Sequence, residues 1–136
     1  MTQVYIEHDV MLSLLTAVGD EEGRGRFVHD FINLWETRSQ RLMKALGSQD
    51  FEDADVVLLS IRSSSTMLGA WPLEAIAGMV HSSVKAHDLA GSMSHLARLH
   101  EVGSNTCREL LQRLETMRVS GARPVSGSAA GGSGQA

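Results

Sequence analysis

Apolar residues recur along this chain at the three-and-four spacing of helices, and the breaks between the runs divide it into five predicted helices. After a short lead-in over residues 1–8, Met11, Leu14, Leu15 and Val18 outline a small first helix that Gly19 ends. Asp20 is placed to cap a second helix, with Glu21 and Glu22 at its positive end. Its stripe is Phe27, Phe31, Leu34, Trp35, Leu42, Ala45 and Leu46, and Gly23 and Gly25 weaken its first turns enough to set the ordered start as late as Arg26. Gly47-Ser48-Gln49-Asp50 reads as a stop, a turn and a new cap, with Asp50 and Asp53 spaced like a capping box.

The third helix gathers Ala54, Val57, Leu58, Ile61, Ser64, Ser65 and Leu68 on one side. Glu52, Asp55, Leu59, Ser63 and Thr66 face away, with Val56, Arg62 and Met67 flanking. It stops near Gly69 to Trp71, because Pro72 disfavours helical geometry before it and suits the first turn of a fourth helix. That helix buries Leu73, Ile76, Ala77, Val80 and Val84 and turns Glu74, His81 and Lys85 toward water. Ala86-His87-Asp88 forms a tight connection, and Asp88 caps the last helix. There Leu89, Met93, Leu96, His100, Gly103, Cys107, Leu110, Leu114 and Met117 alternate steps of four and three, the seam of one long helix.

These elements predict an all-α chain folded as an up-down four-helix bundle with a short N-terminal helix, one domain over residues 4–118. From Val119 onward Gly, Ser, Ala and Pro take over, so residues 119–136 read as a disordered tail. A hydrophobic content of 43% with only 4% aromatic residues and seven Met favours helices packed through Leu, Met and Ala over a sheet. The net charge of −4, with no block of Lys and Arg, argues against a nucleic-acid partner. Cys107 is the single cysteine, which excludes an internal disulfide and a Cys-based metal cluster. Without a basic leader and apolar stretch at the start or a run of 18 apolar residues, the chain is expected to be cytoplasmic and not to bind membrane.

Leu59 is the odd residue of this pattern, an apolar side chain opposite Ile61 on a face that is otherwise small or polar. The stretch around it, Leu58-Leu59-Ser60-Ile61-Arg62-Ser63-Ser64-Ser65-Thr66-Met67-Leu68-Gly69-Ala70, resembles the signature helix of histidine-containing phosphotransfer (HPt) domains, which runs roughly A-H-T-L-K-G-S-S-A-N-L-G-A. Ile61, Ser64, Ser65, Leu68, Gly69 and Ala70 agree with it, and Arg62 keeps the charge of the family's lysine. Ser63 stands where the family has glycine, and Leu59 where it has the phosphorylated histidine. The resemblance covers about residues 4–118, and it implies the helical bundle and a place in a two-component phosphorelay. It also implies a partner: a response-regulator receiver domain or, less commonly, a sensor histidine kinase.

Leucine has no nucleophilic nitrogen, so in this register the chain docks without carrying phosphate and is not an enzyme. The docking residues implied are Asp55, Val56, Leu59, Arg62, Ser63, Thr66 and Met67. In the family the lysine matching Arg62 offsets the charge of the phosphoryl group; here the guanidinium is placed to meet a receiver's acidic pocket or simply to face water. A rival acceptor is His87, because Ala86-His87-Asp88-Leu89-Ala90-Gly91-Ser92 also follows the A-H-x-L-K-G-S pattern, but too little chain follows it for the remaining helices. A third reading is a helical scaffold or dimerisation protein outside phosphorelays. His100 in the seam is expected as a hydrogen-bonded core residue, and His29, His81 and His95 as solvated ones. No two have the i, i+4 spacing of metal ligands, since His95 and His100 stand about 140° apart, so no metal and no cofactor is expected. Cys107 is expected as a small buried hydrophobe.

Overall fold

The computed structural model describes residues 3–122, with side chains to residue 119, and among these the regular structure is entirely helical. Six helices follow one another: α1 (His8–Val18), α2 (Glu21–Gly47), α3 (Phe51–Leu68), α4 (Trp71–Lys85), α5 (Leu89–Ser94) and α6 (Leu96–Ala122). The capping signals act as expected. Asp20, Asp50 and Asp88 each accept a backbone N–H three residues on, from Gly23, Asp53 and Gly91. The two glycines do not delay α2, which starts at Glu21. Asp53 does not complete a capping box, because its carboxylate is taken by Arg41 of α2.

Gly69 ends α3 in the left-handed region, φ +76°, and a Cβ there would lie 2.7 Å from Val10 Cβ. This lets the chain reverse tightly into α4, so α3 and α4 run antiparallel side by side. Residue pairs across the seam run in opposite senses, Asp55 with His81 and Arg62 with Glu74. On its other side α3 meets α2, where Arg38 donates to Ser64 Oγ at 2.8 Å and Arg41 holds Asp53. α6 packs against α2 and α4, and α1 lies across α2 and α3. One core unites Met11 and Leu15, Val28, Trp35 and Leu42, Val57, Leu58 and Ile61, Leu73 and Val80, and Leu99 and Leu110.

The expected single last helix is two. The chain turns at His95, φ −101° and ψ −2°, before α6 begins. The seam is correspondingly shifted: Met93 is exposed, while Leu99, Val102 and Thr106 are buried beside Gly103, Cys107, Leu110 and Leu114. Leu34 is 46% exposed instead of inside, because α2 buries Val28, Trp35 and Leu42 at heptad spacing and Leu34 lies a full 100° from Trp35. Val18 is exposed as well, and Ser64 is only half-buried. Val119 belongs to α6, which runs to Ala122; the rest of the expected tail lies outside the described residues.

Candidate functional site

With α2 on one flank, α4 on the other and the core beneath, one narrow face of α3 is left uncovered. Val56, Leu59 and Met67 on it are 50%, 56% and 57% exposed, and Ser63 and Thr66 are exposed with them. From Val56 to Met67 this ridge extends about 16 Å along the helix axis. Leu58, one residue away, is fully buried. The helical phase read from the sequence therefore holds: Leu59 is a surface leucine on the ridge, midway along α3, and its neighbour is core.

Asp55 and Arg62 are not part of that ridge, although both were grouped with it. Their side chains cross the seam to α4. Arg62 donates from Nε to Glu74 Oε2 at 2.9 Å, its NH2 lies 2.9 Å from the same oxygen, and its NH1 stands 3.1 Å from His81 Nδ1. His81 Nε2 lies 2.6 Å from Asp55 Oδ1. A guanidinium only donates, so His81 Nδ1 accepts, and the ring proton sits on Nε2 and is given to Asp55. His81 is thus a neutral ring with both nitrogens bonded. It is 3% exposed, which overturns its expected place in water, and Glu74 is half-buried in the ion pair. The guanidinium rests over Gly78, 3.6 Å from where a Cβ would stand, an ordinary van der Waals contact.

Glu74 and His81 were missed as parts of the site. The signal was present in the spacing: Asp55 and Arg62 are seven apart on α3, Glu74 and His81 seven apart on α4, and an antiparallel pairing matches each acid with a basic or imidazole partner. On the α2 flank, the hydrogen bonds from Arg41 hold the Asp53 carboxyl below its ordinary range.

The remaining candidates lie apart from this face or are spent in packing. His87 occupies the α4–α5 turn with φ +56° and stacks on Phe51, ring centroids 4.8 Å apart and 6° from parallel. His100 is half-buried, its Nδ1 bonded to Leu96 O at 2.9 Å and its ring set edgewise to Trp35. His29 is exposed and His95 half-buried. Burial pushes the Cys107 thiol up to about 12, with the Glu36 carboxylate adding to the effect. Among the described residues no group of three His, Cys, Asp or Glu is placed to hold a metal ion, and no helix is long and apolar enough to cross a membrane. No protein-family model, curated protein or solved structure matches this chain.

Proposed function

We propose that this chain is a degenerate HPt-like protein that binds a response-regulator receiver domain through the uncovered face of α3 and carries no phosphate itself. On this reading α2, α3, α4 and α6 are the four helices of an up-down bundle, α1 is the short N-terminal helix, and the protein works in the cytoplasm. The observation that carries the reading is Leu59. An apolar side chain stands out from the middle of α3, at the position the signature gives to the phosphorylated histidine, and Val56 and Met67 extend it into a ridge. Isolated exposed leucines are ordinary, but three large apolar residues aligned on one uncovered helix face suit a protein contact. Such a protein sequesters a receiver or competes with an active phosphotransfer protein for it.

His87 supports a phosphocarrier less well. It lies in a turn and not on a helix, and its ring is stacked on Phe51.

The test is binding of purified receiver domains from the same organism to the wild-type protein and to Leu59→Ala. A central apolar anchor contributes about 1–2 kcal/mol, so the substitution weakens binding by roughly 5- to 30-fold. Equal binding by the two proteins removes Leu59 as the anchor. Treatment of the wild type with phosphoramidate leaves every histidine unmodified on this reading, whereas selective modification of His87 would identify a phosphocarrier.

A further inference from the structure

Arg62 is the only basic residue of α3, against three acids, Glu52, Asp53 and Asp55. It lies three residues beyond Leu59, within reach of anything bound there. Yet all three guanidinium nitrogens are directed onto α4: Nε and NH2 to Glu74, NH1 to His81, with the plane over Gly78. The Glu74 carboxylate cancels the charge, and the buried His81, fixed from behind by Asp55, fixes the direction. Of the acids, Asp53 is paired with Arg41, while Glu52 is exposed and the Asp55 carboxylate meets only a neutral ring.

We infer that Glu74 and His81 are specificity-determining residues: by folding Arg62 onto α4 they leave the α3 face with no cation to offer. The inference rests on the docking reading above and names the kind of surface that face accepts. It is an apolar receiver surface, with basic residues where it passes Glu52 and Asp55. A phosphoryl group on the partner gains nothing here, because the one guanidinium that would meet it is already neutralised. Docking is then the same for phosphorylated and unphosphorylated receivers.

The stowed position can be tested without a partner by making residue 59 its own reporter. In Leu59→His, a neutral imidazole nitrogen attacks the phosphorus of phosphoramidate; the new N–P bond replaces the old one, and the leaving nitrogen departs with a proton as ammonia. The lifetime of the resulting phosphohistidine, followed by mass spectrometry at neutral to alkaline pH, reads whether a cation reaches it. Adding Arg62→Gln to Leu59→His is expected to leave the lifetime unchanged. Adding Glu74→Ala frees the guanidinium and lengthens it about 2- to 5-fold, the size of an exposed ion pair's effect, and the gain disappears when Arg62→Gln is added as well.

Melting curves accompany each variant, and Glu74→Gln, which keeps the shape and removes the charge, replaces Glu74→Ala if that protein is unfolded. A shorter lifetime on Arg62→Gln alone would show that Arg62 already serves residue 59 and would overturn the proposal. So would an unchanged lifetime in the Glu74 variants, or an imidazole at position 59 that accepts no phosphoryl group. None of these outcomes depends on a receiver, so failure of the docking reading shows separately, in the binding experiment.

Discussion

At the scale of single residues, Leu58 and Leu59 show how one helical step divides core from surface. Both are leucines on α3, yet one is fully buried and the other more than half exposed. Cys107 makes a complementary case, a reactive side chain silenced by its place. Its thiol is held up to about 12 against an ordinary value of 9.0, mainly because burial disfavours the thiolate. In the unfolded chain the thiol ionises first, so the folded state binds the proton more tightly, and this contribution to stability is fully present below pH 9. It is lost as the pH rises from about 9 toward 12, at up to about 1.4 kcal/mol per pH unit. Denaturant melts of the wild type and Cys107→Ala across that range should therefore converge on the alkaline side, the wild type losing the more. A constant gap between the two would mean that the thiol titrates normally in the folded protein. At pH 8, thiol reagents are expected to label Cys107 only after denaturation.

At the scale of elements, the contact between α2 and α6 depends on the absence of a side chain. A Cβ on Gly103 would lie 1.9 Å from Trp35 Cζ2, so the indole ring fills the space against the α6 backbone. Gly103→Ala gains helix propensity of about 1 kcal/mol, but a contact that short forces the ring or the helix to move, an overpacking cost of about 1–3 kcal/mol or more. The net effect expected is a loss of stability with a red shift of Trp35 emission, both measurable in one fluorescence melt. Increased stability would show that the ring has room to turn away. The same contact explains what was legible in the sequence. Gly103 fell in the seam because the four-and-three stepping is a property of the helix, and all five members of the α4 stripe were found for the same reason. The break at His95 was not legible from periodicity, since Leu89 to Met117 keep their spacing straight through it. It is confined to one residue, His95, at φ −101° and ψ −2°, a local departure that the apolar pattern does not record. His81 escaped for a different reason. Its polarity suggests water, and only Asp55 and Arg62, on another helix, make its burial tolerable.

At the scale of the whole molecule, the residues read as a lead-in form a strap that ties the two ends of the helical region together. The Glu109 carboxylate accepts the Tyr5 and Ile6 N–H groups at 3.0 and 3.1 Å. Arg113 donates to Glu109, to Ile6 O and to His8 Nδ1, and Asn105 donates to the Tyr5 hydroxyl. Ile6 is buried in the core, and beyond it Glu7 N–H donates to Gly69 O while the Glu7 carboxylate accepts from Trp71 Nε1 at 2.6 Å. The strap thus spans from α6 to the α3–α4 reversal, the turn that fixes how α3 presents its outer face. No periodic signal marks it, because its bonds run to groups 62 to 107 residues away in the chain. Glu109→Ala removes one acceptor from two consecutive N–H groups and leaves Arg113 without its acid. Part-buried donors left unpaired cost about 1–3 kcal/mol each where water does not replace the partner, so a loss of about 2 kcal/mol in denaturant unfolding is expected. If the strap is held through Glu109, amide exchange at Tyr5 and Ile6 should quicken more than at the core of α4, and Trp71 emission should shift as Glu7 lets go. If exchange at those two amides stays slow, burial of Ile6 alone holds the segment. The α3 face would then be set by Gly69 and the core beneath it, without help from the N-terminal residues.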